Sequence, residues 1–365
     1  MGNNGLSAWE SYRDRELQAL TPLLAKHGIT LEDEQPHIAG ERYLMQAVTT
    51  TSGRKLILLG QMNGKRVVIK ATTDSEGAKE LLHERTCREL LVKIRFAYEV
   101  FHTPEEVLFT REEGFTLSVQ RFIEQSSTFI GRPLKEQFAL ALSAFKAQEG
   151  AHATTYGHMR RIRGTFGSMS ASDYLREFAS FRDNVRIHQE VPELVVLLEK
   201  AYAVLHEHSE TIERYTGFLT HTDFVPHNFR VVGDDIYLLD YSSLRFGNKY
   251  EGWARFVNFM ALYNPKLEQA LTDYVRLNRT PEEEAALHLM RIYRLGEILW
   301  YYTRTLSQST GDLQRLNRAR IEFWSKLLTA LLSGKRLTND DIATYTNLRD
   351  RLRSEDEKRR QKDLH

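Results

Sequence analysis

Three oxygen-bearing side chains fall within one short segment: Asp223, Asn228 and Asp240. Two apolar runs, Phe229 to Val232 and Ile236 to Leu239, flank Gly233-Asp234-Asp235 and predict a tight β-hairpin. Asn228 enters this hairpin and Asp240 leaves it, so their side chains are expected at the same end. Asp223 stands five residues before Asn228, on a segment stiffened by Pro226. Two carboxylates and one amide that converge can serve a hard cation. Mg²⁺ takes oxygen ligands and keeps water and phosphate oxygens in its shell, so Asp240 and Asn228 suffice as protein ligands when a nucleotide supplies the rest. Asp223, left free of metal duty, can then accept the proton of an attacking hydroxyl.

Such a segment needs a scaffold on both sides. The chain has 365 residues, about twice the usual domain size, which predicts two lobes. Hydrophobic residues make up 41% and charged residues 27%, ordinary globular usage that excludes a mainly disordered or fibrous chain. The formal net charge of +1 supplies no general attraction to nucleic acid or to a membrane surface. The single cysteine, Cys87, excludes an internal disulfide and a multi-cysteine zinc site, which points to a reducing, cytoplasmic setting. No apolar run is long enough to span a bilayer, and the polar start, with Glu10 and Asp14, is unlike a secretory signal. No feature reports an oligomeric state.

The elements follow from periodicity and turn chemistry. Residues 1–40 read as a helical extension whose helix ends at His27-Gly28. Residues 41–124 read as a small lobe. Its strands are expected at Arg42 to Val48, Lys55 to Leu59 and Arg66 to Lys70, with Asn63-Gly64 as a hairpin turn. A helix from Glu76 to Phe96 and strands at Glu106 to Thr110 and Phe115 to Phe122 complete it. Residues 125–350 read as a larger, mainly helical lobe, including a single helix from Glu193 to Tyr215 and one that opens on Thr280-Pro281-Glu282-Glu283. Residues 351–365 form a charged tail.

In this frame His221-x-Asp223-x-x-Pro226-x-Asn228, followed by Asp240 at a strand end, resembles the catalytic site of the kinase superfold. The form is similar to the aminoglycoside phosphotransferase and choline kinase branch, in which a glycine stands where this chain has Thr222. Asp240 is followed by Tyr241, and no activation loop intervenes before the next helix. Val67-Val68-Ile69-Lys70 resembles the strand whose lysine meets the nucleotide phosphates, and Glu84 is the matching helix partner, with Glu80 and Glu89 as rivals. The resemblance implies an α+β, bilobal protein-kinase-like fold with an antiparallel-sheet small lobe. It places Thr49 to Gly53 over the phosphates, with Thr50, Ser52 and Gly53 as candidate contacts. It also places Val119 to Glu124, including Gln120 and Phe122, at the hinge beside the base.

Two positions depart from the branch. After Gly247, which matches, Asn248 and Gly252 replace acidic residues, the second of which helps hold the catalytic segment. Arg255 or Glu251 is the expected substitute brace. The function implied is transfer of the γ-phosphate of ATP, with Mg²⁺, to a hydroxyl of a small molecule such as an aminoglycoside, amino alcohol or sugar. The alternative is a nucleotide-binding scaffold that transfers nothing. Elsewhere, Arg160-Arg161-Ile162-Arg163-Gly164 reads as a solvated basic loop, Trp300-Tyr301-Tyr302 as core, and His221 as a structural histidine.

Overall fold

The computed structural model describes residues 8–35, 54–93, 102–150, 156–188 and 191–353. Sharp turns set the strand pairing. Asn63 and Gly64 both take positive φ, 52° and 70°, the geometry of a two-residue hairpin turn whose twist matches its strands. The turn joins β2 (Leu56–Met62) to β3 (Lys65–Thr72). β4 (Glu106–Glu112) and β5 (Phe115–Arg121) form a second hairpin. A short β1 (Ile29–Leu31) pairs with β2, giving one antiparallel sheet in the order β1-β2-β3-β5-β4. The expected strand Arg42 to Val48 lies outside the described residues. The fifth described strand instead comes from just after α1 (Ala8–Lys26), in the stretch read as a helical extension.

Alternation along β3 decides which side chains face the rest of the molecule. Val67, Ile69 and Ala71 are buried in a core shared with Leu20, Leu23 and Leu24 of α1. Val68 and Lys70 therefore face the opposite side, toward α2 (Ser75–Lys93).

The helical lobe comprises α3 (Leu134–Gly150), α4 (Tyr156–Phe166), α5 (Ala171–Ile187), α6 (Pro192–Glu207), α7 (Ser209–Arg214), α8 (Glu251–Tyr263), α9 (Pro265–Asn278), α10 (Pro281–Leu306), α11 (Gly311–Leu332) and α12 (Asn339–Leu352). Trp253 of α8 stacks on Phe145 of α3 with ring centroids 4.0 Å apart, at the centre of the larger core. α10 starts on the expected capping box, Thr280 with Glu283, and Pro281 in its first turn. Two expectations differ. The helix from Glu193 to Tyr215 is broken at His208 into α6 and α7. The basic stretch at Arg160 is helical, because Ile162 and Phe166 bury one face of α4 and leave the arginines outside. Among the described residues, no helix is long and apolar enough to cross a membrane.

Candidate active site

The expected hairpin forms between β7 (Phe229–Val232) and β8 (Asp235–Leu238), closed by Gly233 at a positive φ of 62°. At its open end the Leu239 amide donates to the Asn228 carbonyl at 2.9 Å, which brings Asn228 beside Leu239 and Asp240. The segment before it runs from β6 (Phe218–His221) through a 3-10 turn at Pro226–Asn228. Phe224 and Phe229 stack with centroids 5.1 Å apart and anchor that segment in the core. His221 is buried, and its Nε2 donates to the Asp240 carbonyl oxygen at 2.7 Å. Burial holds the imidazole below its usual range, so it remains a neutral strut between segment and hairpin.

Both oxygens of Asp223 are held. Arg255 Nε donates to Oδ1 at 2.8 Å and Asn228 Nδ2 to Oδ2 at 2.8 Å. Burial alone would raise this carboxyl; the Arg255 guanidinium, helped by Arg294, outweighs it and holds the group well below the ordinary carboxylate range. The side chain remains 38% exposed, so a bound molecule can reach it.

Asp240 caps a 3-10 turn at Tyr241–Ser243. Its Oδ1 accepts from the Ser242 amide at 2.9 Å and the Ser242 hydroxyl at 2.6 Å, and its Oδ2 from the Ser243 hydroxyl at 2.8 Å. Burial opposes its ionisation, but the Ser242 hydrogen bond, the charge of Lys70 and the Ser243 hydrogen bond together lower its pKa. The two serines were not singled out from the sequence; an Asp followed by hydroxyls is a capping pattern that signals them.

Lys70 Nζ meets both oxygens of Glu84, at 2.6 and 2.9 Å, and donates to the Leu239 carbonyl at 3.2 Å. The rivals are spoken for elsewhere: Glu80 pairs with Lys55 at 2.6 Å and Glu89 with Arg85 at 3.2 Å. Lys70, Glu84, Asp223, Asn228 and Asp240 are thus linked through one chain of contacts across the two lobes. Gln120 is buried on β5 opposite Val68, and Phe122 lies under the Arg66 guanidinium at 4.1 Å. Among the described residues these two make no hydrogen bond to the other five. Thr50, Ser52 and Gly53 lie outside the described residues.

The donor set suits a hard cation. Asn228 commits its Nδ2 to Asp223, which leaves Oδ1 as the atom to face a ligand, and each Asp240 oxygen keeps lone-pair capacity beyond its serine bonds. No group of three or more His, Cys, Asp or Glu among the described residues has metal-holding geometry. A cation here would therefore complete its shell with phosphate oxygens and water.

No family model matches the chain, and no curated protein matches it. Solved structures do. A thermostable mutant of aminoglycoside phosphotransferase APH(4)-Ia superposes with a TM-score of 0.60 at 15% identity, over 86% of this chain and 97% of that one. The same enzyme in a ternary complex with ADP and hygromycin B gives 0.58 at 15% identity, over 87% and 99%. Macrolide 2'-phosphotransferase MphH from Brachybacterium faecium gives 0.53 at 15% identity, over 84% and 98%. The fold is that of the aminoglycoside and macrolide phosphotransferases. At these identities the likeness is one of fold.

Within this phosphotransferase fold, the two departures are filled by other side chains. A Cβ on Gly252 would meet Gln148 Oε1 at 2.7 Å and the His221 carbonyl oxygen at 3.1 Å. Gln148, from α3, occupies that space and accepts the His221 amide at 3.3 Å, while the Gly252 amide donates to Thr220 Oγ1 at 3.0 Å. Asn248 is fully buried, donates to the Ile212 carbonyl at 3.0 Å and caps the Tyr250 amide at 3.0 Å. Of the two expected substitute braces, Arg255 does reach Asp223. Glu251 does not reach the segment; it is buried against Arg245 at 2.5 Å, Arg294 at 3.3 Å and the Tyr174 hydroxyl at 2.7 Å. The sequence reading missed Gln148, which lies 73 positions from its partner in a helix with no local sign of that task.

Proposed function

We propose that this protein is an ATP-dependent phosphotransferase acting on a hydroxyl of a small molecule. The observation that carries the reading is the contact between Lys70 and Leu239, which ties the Lys70–Glu84 pair directly to the hairpin holding Asn228 and Asp240, with Asp223 hydrogen-bonded to Asn228. Phosphate-binding, cation-binding and proton-accepting groups then lie within one contiguous site. The fold neighbours lend support, since one was solved with ADP and another with AMP-PNP, each together with hygromycin B.

In this reading Lys70, set by Glu84, aligns the nucleotide phosphates. Gln120 and Phe122 belong to the strand end and hinge beside the base. Asn228 and Asp240 hold Mg²⁺, which when bound neutralises charge on the phosphates. Asp223 fixes the acceptor hydroxyl by hydrogen bonding. It takes the proton as the new bond to phosphorus makes that hydroxyl acidic. Positioning and electrostatics supply most of the rate. The bracing of the catalytic segment by Gln148 and Arg255 supports transfer over the reading of a non-transferring scaffold.

The test is ADP formation from Mg-ATP across a panel of alcohols, amino alcohols, sugars and aminoglycosides, with product masses. Asp223→Asn should keep nucleotide binding and lose turnover by about 10²–10⁴-fold. Undiminished turnover in that variant rejects the role of Asp223, and absence of Mg-ATP binding rejects the whole reading.

A further inference from the structure

The guanidinium of Arg255 is only partly committed within the protein. Its Nε donates to Asp223, and among the described residues its Nη groups make no hydrogen bond. A guanidinium has five N–H donors, so four remain available in a side chain that is 17% exposed. Of the nearby cations, Lys70 is paired with Glu84, and Arg294 with Glu251 at 3.3 Å and Glu297 at 2.6 Å, while Arg230 donates only to the Phe229 carbonyl at 3.2 Å. Arg255 is also firmly placed. Its backbone lies in the first turns of α8, whose Trp253 and Phe256 are anchored on Phe145, and its Nε bond to Asp223 fixes the side chain at one end. Donors fixed before the reaction need no reorganisation when charge develops in front of them.

We propose that Arg255 is a catalytic residue, whose Nη donors contact the phosphoryl group as it passes to the acceptor while Nε holds Asp223. This rests on the phosphotransferase reading. In the step concerned, the acceptor oxygen forms a bond to the γ-phosphorus and the bond from that phosphorus to the β–γ bridging oxygen breaks. ADP leaves with the electron pair, and the hydroxyl proton goes to Asp223. Arg255 is hydrogen-bonded to Asp223 itself, so its guanidinium sits one side chain away from the group that would hold the attacking oxygen. The charge spread over the three phosphoryl oxygens in transit is then met by a guanidinium supplied from the same chain. Arg255 so combines two tasks, setting the proton acceptor and neutralising the migrating group.

The experiment needs no acceptor. Affinity for Mg-ADP is measured by calorimetry with and without aluminium fluoride, which occupies the place of the migrating phosphoryl. In the native protein, aluminium fluoride should tighten Mg-ADP by roughly tenfold or more, a gain that Arg255→Gln should abolish while plain Mg-ADP binding stays within about threefold. Arg255→Lys should recover part of the gain, since it keeps the charge without the planar fork. An undiminished gain in Arg255→Gln overturns the proposal, as does no gain in the native protein that binds Mg-ADP. If Arg255→Gln fails to bind Mg-ADP through loss of fold, Arg255→Lys decides: a gain cut at least threefold supports the proposal and a full gain overturns it. No binding of Mg-ADP by the native protein sinks the phosphotransferase reading itself.

Discussion

Gln148 stands in for a side chain that Gly252 lacks. Its Oε1 lies 2.7 Å from where a Cβ on Gly252 would be, and it accepts the amide hydrogen of His221, two residues before Asp223. The segment leading to Asp223 is thus braced from the far end of α3 and not from position 252 at the start of α8.

This exchange is testable as a pair. Gly252→Asp alone should lower stability by about 1–3 kcal/mol, because the new side chain overlaps Gln148. Gln148→Ala alone should lower it by about 1–3 kcal/mol by leaving the buried His221 amide without an acceptor. The double variant should recover much of that loss, since the aspartate can take over the vacated space. Urea denaturation of the four proteins gives the coupling; simple additivity would show that the two positions do not share a task.

The Lys70–Glu84 pair makes a second prediction. Lys70→Ala removes a charge-assisted phosphate contact of about 1.5–3 kcal/mol, so Mg-ATP affinity should fall roughly ten- to a hundredfold. Glu84→Gln should weaken binding less, because the lysine stays but loses its fixed direction. Titration calorimetry distinguishes these outcomes from a lysine that serves only to join the lobes through Leu239, where ATP affinity would not change.

Asp240→Asn keeps the acceptor that caps the 3-10 turn and removes the negative charge. ATP binding in this variant should lose its dependence on Mg²⁺, while native ATP binding should weaken when EDTA removes the ion. Equal Mg²⁺ dependence in both proteins would remove Asp240 from the cation site.

Acid stability should report on Glu283 at the start of α10. Burial alone would raise its carboxyl, but hydrogen bonds from Lys249, the Thr280 amide and the Tyr250 hydroxyl outweigh this and lower it to about 2. A folded-state value below the unfolded one contributes stability that is complete above the ordinary value of 4.5 and is lost as pH falls through about 2. The contribution is about 3 kcal/mol at neutral pH. Glu283→Gln should be less stable than the native protein by that order at pH 7, and the gap should close between pH 4.5 and 2 in denaturation curves.

Local chemistry made much of this protein legible from residue types alone. Asn63-Gly64 predicts its own turn, because few residues other than Asn and Gly enter positive φ at low energy. The run from Asp223 to Asp240 predicts its hairpin, since alternating apolar residues and a Gly-Asp turn leave that segment few other low-energy forms. Resemblance to a known strand and helix pattern points from Lys70 to Glu84, but leaves Glu80 and Glu89 as rivals until the structure pairs them with Lys55 and Arg85. Tertiary structure alone decided the rest. Gln148 meets the segment before Asp223 from a helix 73 positions away, and packing alone decided that Arg255 and not Glu251 reaches Asp223. Position 252 shows the limit most clearly: as a glycine it carries no side chain to read, and only the packing of α3 against α8 shows what fills the space. Pattern along a chain reports short-range backbone preference, whereas the matching of distant donors and acceptors is settled when the core closes.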